Sequence, residues 1–384
     1  MTTTQAWIAP EQGLTGVAPH RLGADTHHDI VRAWILAASV VGLAGVILFG
    51  RTALELLIVS SLSAVASEVA LGVLMGRRGE GRLQRAFLYG LLLGLTLPAT
   101  APWYVAVIGS VIAIAAGVGV FGGLLHPTLV GRVVVQFLFA NRLGFAGALA
   151  ISPVLAPGHL LWGDLSNHGR VSNYQGWLAT PQPDGKDALL LERPVLILRH
   201  FAQRGLGNEG DLRFEPLVRD ALPPWTDTVL GTVAGNIGET CTLAILLMGL
   251  YLIYRGYLRW QLPVAVLAAA ALAASILPVE LSGHYRWFPA LEFEQGRAVG
   301  LAYVLYHLTA GQIMLGAFLL AGDVIASPVR VQGQLIFAAG IGVLTIFMRL
   351  YGVLEGECYW SILIMNALVG TIDRRTKRPI LGFG

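Results

Sequence analysis

Four ionisable residues stand inside or at the edge of long apolar stretches: Glu68, Glu239, His307 and Asp323. A charged side chain at the centre of a bilayer costs about 2.5–3.5 kcal/mol on insertion scales, so each needs a partner or a use. The use open to them is an ion or proton path. The plainer reading is a structural ion pair or helix cap, such as Asp323 with Arg330, and the residues alone leave both open. Glycines form a second group. Gly122-Gly123 opens the turn Gly122-Gly123-Leu124-Leu125-His126-Pro127, where backbone could approach a planar cofactor or quinone. Small residues that let membrane helices touch would look the same. There is no phosphate-loop or dinucleotide fingerprint. Cys241 and Cys358 lack the spacing of a zinc or iron–sulfur site and are expected to be free packing thiols.

These residues must be positioned by membrane helices. Of 384 residues, 55% are hydrophobic and only 13% charged, about half the charge of a soluble domain. That excludes a water-soluble enzyme and a nucleic-acid binder. Apolar runs long enough to cross hydrocarbon fall at about 31–50, 53–76, 103–121, 128–149, 229–253, 262–279, 299–321, 333–350 and 357–372, with a shorter one at 86–98. The expected fold is an all-α polytopic membrane protein with about ten transmembrane helices.

The chain divides into an N-terminal arm (1–30), a first five-helix half (31–149), a Pro-rich segment (150–228), a second half (229–372) and a tail (373–384). Five spans is an odd number, so the halves would be inverted. Each third helix is interrupted, at Leu97-Pro98-Ala99-Thr100 and at Leu308-Thr309-Ala310-Gly311. Paired interruptions point to a central site. The clusters Arg77/Arg78/Arg82/Arg85, Arg255/Arg259 and Arg374/Arg375/Lys377/Arg378 fall on one side of a ten-span layout. Positive residues favour the cytoplasm, so both termini would be cytoplasmic and 150–228 extracytoplasmic.

Several stretches resemble one family. They are Pro19-His20, Leu91-Leu92-Leu93-Gly94-Leu95-Thr96-Leu97-Pro98 with Ala101-Pro102-Trp103, Phe121-Gly122-Gly123 and Pro127-Thr128-Leu129-Val130-Gly131-Arg132. Further along come Gly238-Glu239-Thr240, Leu315-Gly316-Ala317-Phe318 with Asp323 and Ala326-Ser327, and Arg349, Gly352, Glu355-Gly356, Asn366 and Asp373. In this order they resemble RnfD, a membrane subunit of the Rnf electron transport complex, and its relative NqrB, from the sodium-translocating NADH:quinone reductase.

The resemblance implies a non-autonomous subunit of a ferredoxin:NAD+ or NADH:quinone type oxidoreductase in the bacterial inner membrane. Such a subunit works with other membrane and soluble subunits and couples electron transfer to Na+ or H+ translocation. It also implies FMN joined by a flavin transferase to a threonine, which by order and the shared Ala-Thr-Pro is Thr180, with riboflavin or quinone as a further ligand near Gly122 and Gly123. The chain departs from the family pattern at Tyr174, Trp177 and Leu178 before Thr180, at His126, where the family has Asn, and at Val324, where it has Pro. A structural anchor that has lost its flavin, or a non-redox transporter on the same fold, are the alternatives.

Overall fold

The computed structural model describes residues 27–76, 81–139, 149–150, 190–191, 193–204, 214, 217–218, 222–223, 225–281, 284–291, 293, 298–323, 326–352 and 355–376. Among these the chain is helical apart from turns and two minimal ribbons, Leu149–Ala150 with Leu190–Leu191 and Val279–Leu281 with His284–Arg286. The helices are α1 His27–Phe49, α2 Arg51–Leu74, α3 Arg82–Thr96, α4 Trp103–Ile112, α5 Pro127–Leu138, α6 Pro194–Arg204 and α7 Trp225–Leu230. They continue as α8 Thr242–Tyr254, α9 Gln261–Ile276, α10 Val299–Thr309, α11 Gln312–Leu315, α12 Val331–Tyr351 and α13 Glu357–Thr376. α4 runs on as a π-helix over Ala113–Val120, and α11 does so over Gly316–Leu320.

Among the described residues, four helical stretches are long and apolar enough to cross a membrane unaided: His28–Phe49, Arg51–Leu74, Trp103–Val120 and Val331–Tyr351. A fifth is the pair Val299–Thr309 and Gln312–Leu320, bent by 53° at its break. Pro127–Leu138, Thr242–Tyr254 and Gln261–Ile276 are apolar but shorter. The chain is therefore a multi-pass helical membrane protein. α3 would extend only about 22 Å at ~1.5 Å per residue, less than the ~30 Å hydrocarbon core.

Association of helices in lipid depends on close packing rather than on the hydrophobic effect. α2 packs extensively on α3, and α9 on α12. Gly90 permits the first contact: a Cβ there would lie 2.7 Å from Ala64 Cβ.

A helix ends at each expected interruption; the second is the bent pair, whereas at the first α3 stops at Thr96 and a new helix begins at Trp103. α3 ends because Leu97 precedes Pro98, which disfavours helical backbone; Leu97 is extended, at φ −91° and ψ 148°. α10 ends at Ala310, also extended, and Gly311 follows with φ 74°. Positive φ is open to glycine without a Cβ penalty.

A helix end in hydrocarbon leaves carbonyls that must find partners. At the first break, Leu93 O accepts from Thr96 Oγ1 (2.7 Å) and Gly94 O from Leu97 N (3.1 Å). Leu95 O and Leu97 O accept from Gly238 N (2.7 Å) and Ile237 N (3.0 Å). Thr96 O accepts from Arg132 Nε (3.0 Å). At the second break, His307 O accepts from Arg349 Nη1 (2.7 Å), and Thr309 O from Thr242 Oγ1 (3.1 Å).

Two stretches differ from the sequence expectation. The run 229–253 is not one helix: α7 and α8 are separated by non-helical backbone over 231–241. That backbone supplies the two amides that complete the first break. The fifth expected span, 128–149, is helical only to Leu138, and 140–148 lie outside the described residues.

Arg132→Leu should strand Thr96 O. An unsatisfied buried group costs about 1–3 kcal/mol, so the thermal midpoint of the purified protein in detergent should fall. Exposed Arg374→Leu should leave it in place. Equal midpoints would show that the arginine does not support the break.

Candidate functional site

The structure sorts the candidate residues into two neighbourhoods. The first is the junction of the two breaks. Glu239 lies in the 231–241 backbone and is buried. It accepts hydrogen bonds from Asn236 Nδ2 (2.6 Å) and from the Tyr359 hydroxyl of α13. The Arg132 guanidinium sits over the Tyr359 ring, 5.8 Å from its centroid. Arg132 Nη1 also donates to Gln136 Oε1 (3.2 Å), and Gln136 Nε2 donates to Glu355 O (2.7 Å). Glu239 thus fixes the completing backbone against α13.

His307 belongs to the same junction. It is fully buried and packs edge-on against Tyr303, with centroids 4.5 Å apart. Arg349, on α12, reaches both its carbonyl and, at 3.5 Å, its Nδ1.

The second neighbourhood joins Glu68, Gly122 and Gly123, which share one cavity of about 240 Å³ with Arg82, Arg85 and Tyr89. Glu68 Oε1 accepts from Arg82 Nε (2.7 Å) and from its Nη2. Glu68 Oε2 is buried without a hydrogen-bond partner. Arg85 and Tyr89 also line a second cavity of about 270 Å³, with Trp34, Leu88, Leu92, His126 and Asp323.

Asp323 is not paired with Arg330. Arg330 Nη1 instead donates to Thr376 O (2.8 Å). Asp323 Oδ2 lies 3.4 Å from the Tyr89 hydroxyl and 3.9 Å from His126 Nε2. Both ring nitrogens of His126 are buried without a hydrogen-bond partner. This end of a largely apolar cavity can therefore accept or donate hydrogen bonds to a ligand's polar edge.

Thr180 lies outside the described residues. Sequence reasoning missed Tyr89 and Tyr359, which carry no signal in an apolar run. Arg132 and Arg349 did carry one, because a charge in hydrocarbon marks them as surely as it marks Glu68.

The profile of the NQR2, RnfD, RnfE family matches residues 14–382. The chain belongs to this family. Members with similar sequences include the D subunit of the Na(+)-translocating ferredoxin:NAD(+) oxidoreductase complex of Acetobacterium woodii, 30% identical over 94% of this chain and 91% of that protein. The D subunit of the ion-translocating oxidoreductase complex of Stutzerimonas stutzeri is 34% identical over 86% of this chain and 85% of its own length. The D subunit of the proton-translocating ferredoxin:NAD(+) oxidoreductase complex of Clostridium ljungdahlii is 31% identical over 94% and 93%.

Within this family member, Arg82→Met should leave the Glu68 carboxylate buried and unpaired. Breaking such a pair costs about 3–5 kcal/mol. Adding Glu68→Gln should recover much of that loss in a thermal-melt double-mutant cycle. Purely additive effects would show that the two side chains do not interact.

Proposed function

We propose that this chain is the flavin-carrying membrane subunit of an Rnf- or Nqr-like complex, which transfers electrons and couples the transfer to Na+ or H+ translocation. The observation that carries this reading is the near full-length match to relatives named as the D subunits of ion-translocating oxidoreductase complexes. Those names include both a sodium and a proton complex, so the likeness leaves the ion open. Its partners are the other membrane and soluble subunits.

The fuller topology is ten crossings in two inverted halves in the bacterial inner membrane, with both termini cytoplasmic. The three basic clusters and the paired breaks support it. Residues 150–228 then face outward, where a flavin transferase would join FMN to Thr180.

A second redox group, riboflavin or quinone, suits the paired cavities around Tyr89. Trp34, Leu88 and Leu92 offer an apolar wall. His126, Asp323 and Tyr89 offer polar atoms at one end, and Gly122 and Gly123 leave room along the adjoining cavity. Such a group would supply the electron chemistry; the protein would hold and orient it.

In-gel fluorescence of the denatured protein should show covalent flavin in cells that have the transferase, and Thr180→Ala should abolish it. A dark wild-type band would defeat the covalent assignment. Normal electron flux in Thr180→Ala would favour the structural-anchor role.

Glu68 and Glu239 are the leading ion-path residues, with Asp323 and His307 as further candidates. Glu68→Gln or Glu239→Gln should lower ion uptake per electron at least about threefold if the carboxylate lines the route. Unchanged coupling in both would remove them from the mechanism.

A further inference from the structure

We infer that α6 is an outer seal over the junction that the 231–242 backbone makes between the two broken helices. The inference rests on the proposed orientation and ion route. α6 belongs to the Pro-rich 150–228 segment, yet it does not stand apart from the helical body. Val195, Leu196, Ile197, Leu198, Phe201 and Ala202 are all buried, while His200 and Gln203 are exposed.

Its first turn rests on the second break. The Val195 side chain lies against Gly311, where any Cβ would collide with it. Farther along, Phe201 packs edge-on against Phe214, which packs on Tyr303, the ring beside His307.

Val195 and Leu196 of α6 border a cavity of about 20 Å³ that Glu239, Gln312, Glu355 and Glu357 also line. One water needs about 10–15 Å³. Gln312 Oε1 and Glu357 Oε2 are buried there without hydrogen-bond partners. A space about the size of one water, with two unpartnered oxygens on it, is thus walled in part by Arg193 and by Val195 and Leu196 of α6.

The ties that hold α6 converge on the connection between α12 and α13. Arg193 pairs with Glu355 at 3.6 Å, and Arg199 pairs with Glu357. Gln203 Nε2 donates to Leu350 O (3.3 Å) and Gly352 O (3.2 Å). These contacts latch a helix distant in sequence onto the rim of the junction. An unlatched α6 would open the polar space to outside water and to uncoupled ions.

The test uses the assembled complex in right-side-out vesicles, with Cys241→Ser and Cys358→Ser removing the native thiols. Gln312→Cys is labelled from outside with a cationic, membrane-impermeant thiosulfonate, and only assembled complex is scored. Labelling should be slow with α6 intact and rise at least about tenfold when Arg193→Gln and Arg199→Gln release it. The exchanged pair Arg199→Glu with Glu357→Arg should keep labelling slow. Fast labelling with α6 intact, or no rise on release, overturns the seal. If the released variant does not assemble, Leu198→Cys and His200→Cys in the otherwise intact helix decide: slow and fast labelling respectively support the seal, and two fast rates overturn it. Labelling of His200→Cys only in inverted vesicles would instead defeat the orientation. A normal seal with unchanged coupling in Glu239→Gln would take the junction out of the ion route and leave the seal standing.

Discussion

The structure depends on one constraint: two helices stop inside the buried core of the helical body, and their carbonyls must still be hydrogen-bonded. At the first break the carbonyls of Leu95 and Leu97 are met by the amides of Gly238 and Ile237, and that of Thr96 by Arg132. At the second, Arg349 and Thr242 serve His307 and Thr309. The two arginines have the same task but come from α5 and α12. Their likeness is therefore one of role.

Charges assembled to satisfy backbone need compensation of their own. Arg132 lies over Tyr359, whose hydroxyl binds Glu239. Arg193 and Arg199 face Glu355 and Glu357. The junction therefore holds a mixed set of acids and bases, in which Glu239 has a structural task as well as a proposed ionic one. The Glu68 cavity has a different character. There one carboxylate oxygen is engaged by Arg82 and the other has no hydrogen-bond partner.

Much of the helix plan was legible in the sequence. Pro98 and Gly311 announced the breaks because proline and glycine act locally on backbone geometry. The non-helical 231–241 stretch was hidden because hydropathy does not distinguish helix from satisfied irregular backbone. Partners were hidden by separation along the chain. Arg82 is near Glu68 in sequence, but Asp323 meets Tyr89, 234 residues earlier, and His126. A charge in an apolar run identifies a residue that needs a partner; only packing identifies which.

The amides that complete the first break also impose an order on biosynthesis. Gly238 follows Leu97 by about 140 residues, which at ~5–20 residues per second takes on the order of ten seconds to synthesise. During that interval the nascent end of α3 lacks its final partners. The insertion machinery must shelter it, or leave it near water, until Ile237 and Gly238 arrive. A ribosome stalled before Ile237 would hold a bundle in which the end of α3 is unfinished.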